Sequence, residues 1–125
     1  MSKRGASSKP DPSISATRAA RIYRILKALA QHPRDRSQLI RISRAGMRTF
    51  YRDLNFLQEC RISVKYERKQ YRLTTSWERT MARLPFPPLL LSFREVMELA
   101  DVPSPAGQKV RVQLNKVVGR AAQLR

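Results

Sequence analysis

One cysteine and one histidine are all the thiol and imidazole that this chain of 125 residues holds. A lone Cys60 excludes an internal disulfide and any zinc site built on several cysteines. His32 stands just before Pro33, where a helix should end. No enzyme is expected, and no metal or cofactor. Long apolar runs are missing too: none approaches the roughly 18 residues needed to span a bilayer. The opening M-S-K-R-G-A-S-S-K-P has no apolar segment for export. Nor is there a basic helix with the broad face of Trp, Phe and Leu that a membrane-surface binder needs. The expected location is the cytoplasm, with no membrane partner.

Acidic residues are the other scarcity. Nine Asp and Glu face 26 Lys and Arg, a formal net charge of +17 with a pI near 11.5. Such a field attracts polyanions, and association with the nucleoid follows from it. The excess is uneven. Residues 18–72 carry 15 basic and 4 acidic side chains (Asp35, Asp53, Glu59, Glu67), a net of +11, against +2 before that segment and +4 after it.

Within that segment lies R-T-F-Y-R-D-L, residues Arg48 to Leu54. On a helix turning about 100° per residue, Phe50, Leu54 and Leu57 share one side. Arg48, Arg52 and Asn55 fall on the opposite side, with Tyr51 flanking them. One face suits a core. The other, a stripe of guanidinium groups beside an aromatic and an amide, suits a DNA major groove, although a solvated charged face would read the same way.

The surrounding pattern supports a compact DNA-binding unit. Residues 1–16 are rich in Ser, Pro, Gly and Lys and are expected to be a disordered basic tail, either solvated or following a minor groove. From Thr17 to about Gln31 the apolar Ile22, Ile25, Leu26 and Leu29 recur at helical spacing, with Ser15 or Thr17 available as N-cap and Pro33 as the stop. Arg18, Arg21 and Arg24 lie off that stripe, where they can meet phosphates or water. Ser37 can cap a second helix containing Leu39, Ile40 and Ile42. A third, basic helix runs from Met47 to Cys60, which makes a helix-turn-helix. Ile62, Val64 and Tyr66 then alternate with Ser63 and Lys65, and the chain returns as Tyr71-Arg72-Leu73, a hairpin whose tip presents Arg68 and Lys69.

The run L-x5-A-x3-R-T-F-Y-R-D-L-x2-L from Leu39 to Leu57, followed by I-S-V-K-Y-E-R-K-Q-Y-R-L, resembles the winged helix-turn-helix of bacterial transcriptional regulators of the DeoR type and of the WYL-domain (YafY-like) group. In that group an R-T-[VI]-x-R-D-[LI] recognition helix precedes a wing ending in Y-x-L. The likeness covers about Arg21 to Leu73. It departs where the family's turn glycine is here Arg44, where its capping serine is Gly46, and in a wing without glycine. Beyond it, a Pro- and Leu-containing stretch and a helix starting at Phe93, with Ser92 and Glu95 as capping box, resemble the connector of WYL regulators. No ligand-sensing domain can be assigned within these residues.

The expected architecture is mainly α with a small β-hairpin: a winged helix-turn-helix (17–74) followed by C-terminal helices (75–125). The implied partner is double-stranded DNA, read in sequence-specific fashion. The alternative is a sequence-tolerant RNA or nucleoid binder. Candidate DNA contacts are Met47, Arg48, Thr49, Tyr51, Arg52 and Asn55 on the recognition helix, Ser37 before it, Lys65, Arg68 and Lys69 on the wing, and Arg18 and Arg21 on the first helix. Thr49 can bond a phosphate or its own helix. Asp53, an acid that a polyanion would repel, projects to the core side and should hold an arginine or cap backbone groups. Val110, Leu114, Val117, Ala121 and Leu124 form a last apolar stripe. It either folds back on the helix starting at Phe93 or joins two copies as a homodimer.

Overall fold

The computed structural model describes residues 14–87 and 91–123, from residue 120 onward by backbone alone. Helices α1 (Ala16–Gln31), α2 (Arg36–Ser43) and α3 (Met47–Glu59) come first. An antiparallel hairpin of β1 (Val64–Glu67) and β2 (Gln70–Leu73) follows. Then come α4 (Trp77–Arg83), a second short hairpin of β3 (Pro85–Phe86) and β4 (Leu91–Ser92), α5 (Phe93–Ala100) and α6 (Pro105–Gln123). The architecture is mainly α with a small β-hairpin, a winged helix-turn-helix followed by C-terminal helices, as expected.

Local chemistry sets the boundaries. Ser15 caps α1, its Oγ accepting from the Arg18 amide at 3.0 Å, and Ile14 before it is buried. The expected tail of residues 1–16 therefore runs three residues too far, and its remainder lies outside the described residues. The cap of α2 is Asp35, not Ser37. The Asp35 carboxylate accepts from the Gln38 amide at 2.8 Å while the Gln38 side chain accepts from the Asp35 amide at 3.0 Å, so two orphan donors are satisfied at once. Ser37 sits exposed in the first turn. Helix α3 starts at Gly46 without a side-chain cap. It ends with the Arg61 amide on the Gln58 carbonyl and the Ile62 amide on the Leu57 carbonyl, a Schellman closure with Arg61 at φ 64°.

Strand pairing sets Tyr66 opposite Tyr71 and Glu67 opposite Gln70, leaving Arg68 and Lys69 as a two-residue turn. Strand β2 also bonds the loop between α1 and α2: the Tyr71 amide donates to the Arg34 carbonyl at 2.7 Å, and the Tyr71 carbonyl accepts from the Arg34 amide at 3.1 Å. The wing is thereby tied to the helices it follows.

Helix α1 has two apolar flanks. Ile25 and Leu29 pack with Leu39, Phe50 and Tyr71 into the core of the winged part. Ile22, Tyr23 and Leu26 belong to a larger cluster with Phe56, Leu57, Ile62, Met81, Leu84, Phe86, Phe93, Val96, Leu114 and Val117. There Tyr23 stacks on Phe93 at 5.3 Å between centroids, and Phe86 meets Phe93 edge-on at 5.0 Å. The last apolar stripe takes the first of its two alternatives: Leu114 and Val117 are buried where α6 crosses α1 and α5, so that face is covered within one chain. The side chains of Ala121 and Leu124 lie outside the described residues. Residues 17–74 and 75–123 are thus neighbours in sequence that share a core.

Helix α4 and the β3–β4 hairpin were not anticipated. The signal was present in Ser76 as a cap, accepting from the Arg79 amide at 3.2 Å, and in the spacing of Trp77, Met81 and Leu84. The capping box on α5 stands as expected, with the Ser92 Oγ accepting from Glu95 and the Glu95 carboxylate accepting from the Ser92 amide. Among the described residues no helix is long and apolar enough to cross a membrane.

Candidate nucleic-acid interface

Packing of α3 sorts its side chains as its periodicity requires. Phe50, Asp53, Phe56 and Leu57 are buried, whereas Met47, Arg48, Tyr51, Arg52 and Asn55 are exposed and Thr49 is half-buried. Arg48, Arg52 and Asn55 stand at i, i+4 and i+7, one line along the outer face. Met47, at 50 % exposure, lies in the first turn beside them. Neither Arg48 nor Arg52 has an acidic partner among the described residues. The same holds for Lys65 on β1 and for Arg68 and Lys69 at the wing tip, all exposed. Arg72, by contrast, pairs with Glu67 at 2.6 Å.

Arg18 and Arg21, candidate DNA contacts on α1, are both engaged by an acid of α3. The Asp53 carboxylate is only 1 % exposed, and both arginines turn to it. Arg21 grips it with Nε at 2.6 Å and Nη2 at 3.0 Å, and Arg18 adds Nε at 3.0 Å. Arg18 also lies over the Phe56 ring at 4.7 Å. The reason is electrostatic: a carboxylate removed from water needs counter-charge and hydrogen bonds, and two forks from α1 supply both. Asp53 holds arginines, one of its two expected roles. In doing so it fixes the rotation of α3 on α1, and the neighbouring Arg52 points outward.

Arg24 is likewise internal, at 8 % exposure. Its Nε donates to the Ile42 carbonyl at 3.0 Å and its Nη2 to the Ser43 carbonyl at 2.9 Å. These are C-terminal carbonyls of α2 that the helix cannot satisfy itself. Burial depresses the Arg24 pKa, and the like charges of Arg21 and Arg44 press it further in the same direction.

Sequence reasoning missed two residues at this surface. Arg36 at the start of α2 donates to the Tyr51 hydroxyl oxygen at 3.1 Å, and this bond, with help from Tyr71, lowers the Tyr51 pKa. No pattern in the sequence marks Arg36. Tyr66, which alternates with Ser63 and Lys65 along β1, is 58 % exposed. Its ring lies 4.6 Å from Tyr71, which in turn meets Phe50 edge-on at 5.6 Å. Burial and the Tyr51 contact push the Tyr71 hydroxyl up to about 12. An aromatic chain thus links the wing to α3, and Arg36 ties α2 into it.

Cys60 lies in the larger core cluster, its thiol pushed up to about 11 first by burial and then by Glu59. The His32 ring sits 2.9 Å from the Pro33 carbonyl. The exposed face of α3 offers forked donors spaced along a helix, with a second group of cations on the wing. This set can engage guanine edges or phosphates, and the acid on the wing strands, Glu67, is paired with Arg72. Comparison with known proteins finds no family model, no curated sequence and no solved structure that matches this chain.

Proposed function

We propose that the chain is a sequence-specific DNA-binding transcriptional regulator that reads the major groove with α3 and holds the phosphate backbone with its wing. The observation that carries this reading is the division of the R-T-F-Y-R-D-L helix. Its acid is buried against α1, while Arg48, Arg52 and Asn55 line an outer face without acidic partners among the described residues. A helix-turn-helix sets such a face into a groove. The likeness of this segment to DeoR-type and WYL-group regulators supports the same reading. Pairing of two copies on related half-sites would lengthen the footprint. Leu114 and Val117 are covered within the chain, so pairing would use another surface.

Capture of genomic fragments on the purified protein tests the proposal, with one enriched duplex then competed against excess random DNA. Arg48→Ala and Arg52→Ala should each weaken binding to the enriched duplex by about 1–3 kcal/mol and binding to random duplex much less. Equal losses on both would make them backbone contacts and favour the sequence-tolerant RNA or nucleoid binder. Replacing Lys65, Arg68 and Lys69 together by Ala should lower affinity for all duplexes and flatten the salt dependence by roughly one unit per lost contact. An unchanged slope would mean that the hairpin does not reach the nucleic acid.

A further inference from the structure

One arginine and three tyrosines, drawn from four elements, meet beside α3. Arg36 comes from the first turn of α2, Tyr51 from α3, Tyr66 from β1 and Tyr71 from β2. Arg36 Nη1 donates to the Tyr51 hydroxyl oxygen at 3.1 Å. The Tyr71 hydroxyl shares a hydrogen bond with that of Tyr51, and the Tyr66 ring lies 4.6 Å from the Tyr71 ring. The phenols of Tyr66 and Tyr71 are also within electrostatic reach of the Arg36 guanidinium. Arg36, Tyr51 and Tyr66 are exposed, whereas Tyr71 is buried.

Donors at this point outnumber what the fold uses. A guanidinium carries five N–H groups, and no acid pairs with Arg36 among the described residues. Because the Tyr51 oxygen already accepts from Arg36, its own proton is left to donate outward. The acids next to the site in sequence are engaged elsewhere: the Asp35 carboxylate caps α2, and Glu67 holds Arg72. A positive fork beside phenol donors suits an oxyanion bound by both kinds of donor at once. We infer that Arg36, Tyr51 and Tyr66 form a seat for one backbone phosphate of the nucleic acid, at the junction of α2, α3 and the wing. Tyr71 is a positioning residue that holds Tyr51 in place. This rests on the DNA-binding reading above, and it adds Arg36 and Tyr66 to the interface.

A purely structural role accounts for less of this arrangement. The bond between Arg36 and Tyr51 joins two exposed side chains, and such a bond adds little to stability in water. Tyr66 is more than half exposed, so its ring buries little area against the fold. A phosphate is better served, since guanidinium and phenol groups both donate to its oxygens and fix a protein on a duplex without reading bases. Position favours it as well. Tyr51 flanks the line of Arg48 and Arg52 on α3, and Tyr66 stands on the strand that leads to Arg68 and Lys69. A duplex strand running from the outer face of α3 to the wing tip therefore crosses the site.

The test uses the full chain and a random-sequence 20-base-pair duplex. Arg36→Gln should lower affinity about eightfold at 0.1 M salt and reduce the slope of log affinity on log salt by about one unit. Arg36→Lys, which keeps the charge, should restore the slope. Tyr51→Phe and Tyr66→Phe each remove a neutral donor, so each should lower affinity by roughly fivefold with the slope unchanged. In the Arg36→Gln background, Tyr51→Phe should cost less than about twofold, because the phosphate that both hold is already released. A slope unaltered by Arg36→Gln overturns the inference and leaves the DNA reading standing. So does a slope that Arg36→Lys fails to restore, and so does full additivity of the Arg36 and Tyr51 changes, which would put them on separate contacts. If the unaltered protein does not bind the duplex, the DNA reading fails and the seat with it.

Discussion

The winged part and the C-terminal part pack on opposite flanks of α1, yet they are held by different means. Behind α1, α4 to α6 use apolar packing: Phe86, Phe93, Leu84 and Val96 are fully buried, and the caps at Ser76 and Ser92 are ordinary. In front, the core of the winged part is a smaller group around Phe50 and Tyr71. Polar devices supplement it: the Asp53 carboxylate between Arg18 and Arg21, and the Arg24 guanidinium under the end of α2. Every strained turn among the described residues lies in that front half. Exposed cations without acidic partners among the described residues, such as Arg48 and Arg52, add little to holding the fold. The C-terminal helices add apolar burial, and the winged part presents Arg48, Arg52, Lys65, Arg68 and Lys69 outward.

The largest test of this contrast is Phe93→Ala, which empties a site shared by Tyr23 and Phe86 and should cost about 4 kcal/mol in urea unfolding. Because the core is continuous through α1, Trp77 fluorescence and a probe on the wing should report one transition in the unaltered protein. Two separate transitions would break the comparison by making the halves independent. Next in size is Asp53→Asn, expected at about 3 kcal/mol, the low end for breaking a buried ion pair because Arg18 and Arg21 keep some contact with water. Adding Arg21→Gln should recover part of the loss. A cost under about 1 kcal/mol would show that apolar packing alone holds α3 on α1.

The smallest effect is a pH limb. Tyr71 stays protonated in the fold up to about 12, whereas in the unfolded chain it ionises near 10. Its raised folded pKa therefore contributes stability that is complete below pH 10 and is lost between pH 10 and 12. Tyr51, with its pKa lowered by Arg36, returns part of that loss. Cys60, raised to about 11, declines in an overlapping window. The difference between the unaltered protein and Tyr71→Phe isolates the tyrosine: the variant should lose less stability between pH 9.5 and 11.5, by on the order of 1 kcal/mol. Identical alkaline limbs would place Tyr71 outside the lock between wing and helix.

Periodicity and caps act over one or two turns, so the sequence by itself determined what depends on them. It determined the stripe of α1, the two faces of α3 with Asp53 turned inward, the hairpin with its tip at Arg68 and Lys69, and the start of α5 at Phe93. Ser37 failed as a cap for a reason still legible nearby, since Asp35 with Gln38 is the stronger reciprocal pair. Tertiary structure alone decided where the arginines of α1 go. Arg18, Arg21 and Arg24 look alike on a helical wheel, and each meets groups more than fifteen residues away: a carboxylate on α3 for two of them, carbonyls at the end of α2 for the third. It also decided that Leu114 and Val117 cover α1 and α5. A guanidinium or an apolar stripe carries no mark of its partner; the partner is set by what the rest of the chain brings opposite it, and that is a property of packing.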